Sequence, residues 1–334
     1  MFKRFFKCAL FTCAAIFATK TQAQVDPHFS QTYVYPQSLN PALTGIIDGD
    51  YRVAGIYRSQ WANIDGGFKT IGLAAEMVTE KNINLGVGLF QQSAGNGGYK
   101  YFTPYASVAY TGIKFGKEGN HHISIGINAG VIDRRFDQSK FEMGDKWNPV
   151  TGKPDLPTTD KFDNLSQTAF DMSAGALYFD ATPNQKANIF AGFSAGHLTQ
   201  PKDKFFTNSD SKVPFKYTIH GGVKVNLSET VSLTPNALYM HQGTAEELML
   251  GAYTQIKAGE GFDFLLGANY RLKDAFAAFT GFYYKQFVLG LSYDINTSDL
   301  SKIAGSANAF EISLSFTGKK RPHAVEQPFI CPRL

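Results

Sequence analysis

Catalysis needs titratable or nucleophilic side chains within reach of one another, and histidine is the first place to look. This chain of 334 residues has seven: His28, His121, His122, His197, His220, His241 and His323. None falls in a His-Glu-x-x-His pattern or a Cys/His zinc spacing. His121-His122 reads as a solvated turn pair rather than a metal site. His220, beside Thr218 and Lys224, reads as a polar lining position, and His197 as a ring closing a strand near a membrane interface. Asp48-Gly49-Asp50 and the stretch Asp133 to Asp145 are acidic but miss the EF-hand ligand spacing, and Arg134, Arg135 and Lys140 dilute the second. The glycine pairs at 66–67, 97–98 and 221–222 precede no helical pattern, so they are not phosphate loops. Gly-x-Ser-x-Gly is absent. The remaining enzymatic reading is a Ser-His pair assembled across strands, as in a barrel phospholipase. The expectation is a non-enzymatic protein with no catalytic residue, no cofactor and no metal ligand.

The elements that would position any site are strands. In the first of two segments between Gln286 and Phe316, Phe287, Leu289, Leu291 and Tyr293 alternate with Val288, Gly290, Ser292 and Asp294. In the second, Phe310, Ile312, Leu314 and Phe316 alternate with Glu311, Ser313, Ser315 and Thr317. Side chains of a strand point alternately to its two faces, so each segment has one greasy and one small or polar side. In a soluble sandwich the greasy side is the core. In an outer-membrane barrel it meets lipid, and the polar side lines a wet lumen.

The amino end favours the second. Lys3, Arg4 and Lys7 precede an apolar run from Cys8 to Ala18 and a small-residue site, Thr21-Gln22-Ala23. That is the pattern of a cleaved secretory signal peptide over residues 1–23. The run is too short to span ~30 Å of hydrocarbon as a helix. The chain carries 32 basic and 28 acidic residues, but the leader holds four of the basic ones and no acidic one. The mature chain is therefore neutral, with no general electrostatic attraction to nucleic acid. Only Cys331 of three cysteines lies beyond the leader, so no intramolecular disulfide framework supports an exported fold. No later run of 18 apolar residues exists, which excludes helical spans. Low charge (18%), many aromatics (14%) and 32 glycines in an exported, alternating chain fit a membrane barrel.

Residues 24–50 hold three prolines and no alternation, so they read as an irregular segment. Its apolar residues Phe29, Tyr33, Tyr35 and Leu39 suggest a plug at the periplasmic mouth. From Tyr51 the chain reads as fourteen strands: 51–59, 68–78, 82–92, 99–114, 121–133, 167–180, 187–197, 216–227, 231–241, 247–257, 261–272, 275–285, 286–296 and 309–317. Residues 99–114 and 275–285 carry large side chains at both parities. Connections after even strands are compact, whereas 134–166, 198–215 and 297–308 all follow odd strands. Short periplasmic turns and long outer loops have this asymmetry. The fold class is thus all-β: one transmembrane antiparallel β-barrel of about 14 strands over residues 51–317, closed so that no edge is exposed. Residues 318–334 form a periplasmic tail. The longest loop mixes charges with Phe136, Phe141, Trp147, Leu156 and Phe162, candidate anchors for a docked partner.

Several short stretches also resemble one family. Asp26-Pro27-His28-Phe29-Ser30-Gln31, Asn40-Pro41-Ala42-Leu43-Thr44-Gly45 and Tyr57-Arg58-Ser59-Gln60-Trp61 lie near the mature start. Gly290-Leu291-Ser292-Tyr293-Asp294-Ile295-Asn296, Phe310-Glu311-Ile312-Ser313-Leu314 and Cys331-Pro332-Arg333-Leu334 lie near the end. In this order they resemble the PorP/SprF family across the mature chain. The resemblance implies an outer-membrane protein of the type IX secretion system of Bacteroidetes, Gram-negative bacteria. Such proteins bind or anchor secreted, adhesin-like substrates at the cell surface and support secretion and gliding. The partners implied are a secreted type IX substrate with its C-terminal domain and a periplasmic OmpA-like, peptidoglycan-binding protein, beside membrane lipid. The family brings no catalytic residues. The rival reading from the barrel alone is an outer-membrane pore or hydrophobic-substrate channel.

Overall fold

The computed structural model describes residues 26–62, 66–140, 144–153, 155–157, 164–202, 205, 211–298 and 308–319. The expected leader, most of the tail with Cys331, and the candidate anchors Phe141 and Phe162 lie outside these residues.

Fourteen strands close into one antiparallel barrel. The first seven are β1 (Tyr51–Gln60), β2 (Phe68–Met77), β3 (Ile83–Ala94), β4 (Tyr99–Phe115), β5 (His121–Phe136), β6 (Ser166–Asp180) and β7 (Ala187–Gly196). The rest are β8 (Lys216–Asn226), β9 (Val231–Gln242), β10 (Ala245–Gly259), β11 (Phe262–Arg271), β12 (Ala275–Tyr284), β13 (Phe287–Asn296) and β14 (Ala309–Gly318). Each pairs with its sequence neighbours, and β1 pairs with β14 from Tyr51 opposite Gly318 to Gln60 opposite Ala309. Closure leaves no edge strand in the barrel wall, the requirement for strands in hydrocarbon, and the outer half of β6, before Ala174, runs past its ladder with β7. The tight connections gather at one end, where Asn82, Glu118, Asn184 and Lys285 take positive φ. The three long connections gather at the other, which is the outer end by the rule of short periplasmic turns.

The alternation resolves as the membrane reading requires. Val53, Leu73, Val87, Ile127, Ile219, Leu250, Leu266 and Leu314 are each about half exposed on the outside of the barrel. Aromatic side chains mark both edges of this band: Tyr110, Phe115, Tyr284 and Phe287 at the periplasmic end, and Tyr217, Tyr270, Phe276 and Tyr293 at the outer end.

The lumen differs from expectation. It is occupied along its length by residues 26–50, which enter beside the outer ends of β7 to β9 and descend to the periplasmic start of β1. Two single 3-10 turns, Pro36–Ser38 and Pro41–Leu43, shape the segment, each with proline at its start where the missing N–H costs nothing. Its packing explains the two strands whose parity the sequence leaves open. Tyr35 lies between Phe90 and Tyr105, at 6.4 and 6.2 Å between ring centroids, and Tyr33 lies 5.7 Å from Phe279. The large inward residues of β4 and β12 are thus a core around the segment. Leu39 bridges two further clusters, one around Leu43, Leu177 and Phe190 and one around Leu238, Met240 and Met249.

Candidate functional site

The polar contacts between the amino segment and the wall are concentrated at three levels of the lumen. At the outer mouth Asp26 is the centre. Its carboxylate lies 2.6 Å from His197 Nε2 and 3.7 Å from Lys216 Nζ, accepts from Gln242 Nε2 at 2.9 Å, and its own amide donates to Gln242. The other ring nitrogen of His197 lies 2.9 Å from Asp171 Oδ2. Burial alone would lower the pKa of this imidazole, but the two carboxylates outweigh it and hold the pKa at about 9. Burial likewise opposes ionisation of Asp26, yet His197, Lys216 and the Gln242 hydrogen bond keep its carboxyl well below the usual range. Sequence reading places His197 only as a ring at a strand end. The ring sits just beyond β7 at positive φ, turned inward and buried.

One step deeper is a cluster of four buried charges. Arg58 of β1 lies directly opposite Glu311 of β14. Its Nη1 approaches Glu311 Oε1 at 2.5 Å and Asp294 Oδ2 at 2.9 Å. Arg271 reaches the same Asp294 oxygen at 2.9 Å and Asp274 at 2.8 Å. Ser30 and Gln31 complete the set: their backbone amides donate to Glu311 at 2.7 and 3.0 Å. The Ser30 hydroxyl donates to Asp294 at 2.6 Å and accepts from both guanidinium groups at 2.9 Å. Arg58, Arg271, Asp294 and Glu311 are each no more than 3% exposed. Two cations and two anions in direct contact are the form in which buried charge is tolerable, and the second oxygen of Asp294, Oδ1, accepts no hydrogen bond within the cluster.

Nearer the periplasm, the Asn40–Gly45 stretch is fastened by its backbone. Asn40 caps its own turn by accepting from Ala42 N at 2.9 Å, while its Nδ2 lies 3.0 Å from the Ala176 carbonyl and 3.1 Å from His220 Nε2. Ser124 donates to the Ala42 carbonyl at 2.7 Å, and Gly45 N donates to Glu76, which also pairs with Arg52. Two wall glycines make the approach possible. A Cβ at Gly126 would stand 2.4 Å from the Pro41 carbonyl carbon, and one at Gly290 would stand 2.2 Å from Gln31 Oε1.

Four of the six stretches that carry the family resemblance meet at the charge cluster, and a fifth forms the Asn40 turn. The sixth, at the carboxyl end, lies outside the described residues. The plug candidates Phe29, Tyr33 and Tyr35 are buried in the lumen, and Leu39 is partly so. The loop candidates separate. Phe136 is the last residue of β5, packed against Tyr99 at 5.0 Å and Phe205 at 4.8 Å, because that strand runs three residues further than its alternation suggests. Trp147 and Leu156 remain in the loop, 56% and 39% exposed. The His121-His122 pair is not a solvated turn but the start of β5, where His121 stacks on Phe115 and His122 on Phe179. Among the described residues no group of three or more His, Cys, Asp or Glu side chains is placed to hold a metal ion.

Space between segment and wall remains as pockets. One of about 100 Å³ lies beside Leu39, Tyr101, Asn128 and His197, and one of about 380 Å³ opens at the outer mouth beside His28, Arg58, Glu247 and Arg271.

Comparison with known proteins gives two findings and one blank. The family model described as type IX secretion system membrane protein PorP/SprF matches residues 21–316. Among solved structures, the toluene transporter TbuX of Ralstonia pickettii is similar at a TM-score of 0.50 and 11% identity, over 84% of this chain and 92% of that one. The toluene transporter TodX of P. putida is similar at 0.49 and 8%, over 85% and 93%. Likeness at such identities concerns the barrel fold. No curated protein matches.

Proposed function

Because the chain belongs to the PorP/SprF family of type IX secretion system membrane proteins, we propose that it is a non-enzymatic docking barrel of that system. In this reading it sits in the outer membrane and holds secreted, adhesin-like substrates at the cell surface through their C-terminal domain, in support of secretion and gliding. A periplasmic OmpA-like, peptidoglycan-binding protein is its partner on the other side. The observation that carries the reading is the occupied lumen. Residues 26–50 are wired to the wall at three levels, which leaves the outer surface rather than a through-path as the working face. The longest outer connection supports this with Trp147, Val150 and Leu156 exposed above the barrel.

The test deletes residues 146–160, which belong to no strand, and measures binding of a purified type IX substrate C-terminal domain to the membrane-assembled protein. Interfaces concentrate their energy in a few aromatic anchors, so losing Trp147 should cost ~2 kcal/mol, about 30-fold in affinity. Heat-modifiable gel mobility reports that the barrel is intact. Wild-type affinity in an intact barrel would move the docking site off this loop. Planar-bilayer recording separates the channel reading: the full-length protein should conduct little, and large steady pores would favour a channel.

A further inference from the structure

The outward face carries a feature that the docking reading does not use. At the outer ends of β1 to β6 one cross-strand row runs Ser59, Lys69, Ser93, Lys100, Arg135, Ser166, each residue directly opposite the next. Directly opposed residues share a face of the sheet. Ser59 is also opposite Phe310, which is 42% exposed on the outside of the barrel, so the whole row points away from the lumen. Lys69, Lys100 and Arg135 are all exposed. Immediately below on the same face of β2 come Ile71 and Leu73, the start of the apolar band. With strands ~4.8 Å apart, the row spans ~10 Å from Lys69 to Lys100 and ~14 Å from Lys69 to Arg135.

The rest of the outer edge is different in kind: Tyr217, Tyr270, Phe276 and Tyr293 occupy it on β8, β11, β12 and β13. Among the described outward-facing strand residues of this edge, Lys69, Lys100 and Arg135 fall in one sector, while Lys212 ahead of β8 and Lys273 in the β11–β12 turn are exposed outside it. Two acids lie near the row. Asp133 pairs with Arg135 at 2.7 Å, and Asp137 is held ionised by Ser139 hydrogen bonds with Lys140 and Lys100 nearby. The cross-strand neighbours of Lys69 are both serines. An outward side chain at this height meets the headgroup layer of the outer leaflet by position alone. A lysine there needs an anion, and phosphate is the anion a headgroup supplies, with hydroxyls able to donate to its remaining oxygens.

We propose that this row is a binding site for a phosphate-bearing lipid of the outer leaflet, with Lys69 and Lys100 as its ammonium partners and Ser59 and Ser93 as donors beside them. The test uses the full-length protein in nonionic detergent with two probes, phosphorylated lipid A and the same lipid after enzymatic dephosphorylation, and counts bound lipid by native mass spectrometry. The wild type should retain the phosphorylated form by about fivefold or more over the other. K69Q/K100Q should fall to the dephosphorylated level, K69R/K100R should keep most of the preference, and K81Q, at the opposite rim, should match wild type. Equal retention of both probes by the wild type would overturn the proposal. So would an undiminished preference in K69Q/K100Q, or an equal loss in K81Q. If K69Q/K100Q fails to assemble, as read by heat-modifiable mobility, the single K69Q decides by the same criterion.

Discussion

Glu311 takes hydrogen bonds from the amides of Ser30 and Gln31, some 280 residues earlier in the chain, while its own strand pairs it with Arg58. Removing that carboxylate leaves a buried guanidinium short of an anion and two buried amides short of an acceptor. Breaking a buried pair in this way costs ~3–5 kcal/mol. E311A should therefore keep its strands but loosen residues 26–50, and limited proteolysis with amino-terminal sequencing should find cleavage there at least 100-fold faster than in wild type. A variant as resistant as wild type would show that the aromatic packing of Tyr33 and Tyr35 suffices. The Asp26–His197 contact adds a pH dependence. The raised pKa of His197 means its contribution is full below its unfolded value near 6.5 and is lost as pH rises through about 9. The lowered pKa of Asp26 means its contribution is full above ~4 and is lost only in acid. The outer end of the segment should thus be held most firmly between pH ~4 and ~6.5 and loosen towards alkaline pH. Hydrogen exchange of amides 28–31, corrected for intrinsic rates, should rise between pH 6 and 9.5 in wild type and be high and flat in H197Q. A flat wild-type profile would remove His197 from this role.

Strands were legible in the sequence because lipid enforces alternation from outside. All fourteen appear, with ends displaced by at most three residues. What the alternation could not reveal is the content of the lumen. Inward positions such as Ser292 and Ser313 look the same whether they face water or a packed segment, and the sequence reading takes the first. Both are 3% exposed, and Ser313 donates to Gln31 at 2.8 Å. The consequence changes what a charge scan of β14 should give. L314R puts a cation into the apolar band at ~2–4 kcal/mol near the midplane and should impair membrane assembly. S313R should assemble but expel the segment, giving normal heat-modifiable mobility with protease-sensitive residues 26–50. Equal assembly yields together with equal protection would refute both assignments. The charge cluster was unreadable for a related reason: no periodicity tells which rung of which strand lies beside residue 30. Arg58, Asp294 and Glu311 were visible only as members of familiar stretches, and His197 had no signal beyond its place at a strand end.

At the scale of the molecule, the buried charges lie across the seam. Arg58 belongs to the first strand, Asp294 and Glu311 to the last two, and the residues that bridge them belong to a segment that precedes every strand. This is an instruction about time as well as space. Once β1 and β14 have zipped, a strand-lined tube offers the segment entry only through its ends, yet its anchors are distributed from the outer mouth to the periplasmic rim. The order expected from these contacts has the segment among the strands while the seam is still open, with Ser30 and Gln31 as a template for the last rung. A chain lacking residues 26–45 would have to close that rung with Glu311 and Asp294 uncovered. Its refolding into lipid vesicles should still reach the closed, heat-modifiable form, but with the final step slowed at least tenfold, ~1.4 kcal/mol of barrier, relative to the full chain. Adding a synthetic peptide of residues 26–45 before refolding should recover part of the rate, and adding it afterwards should recover none.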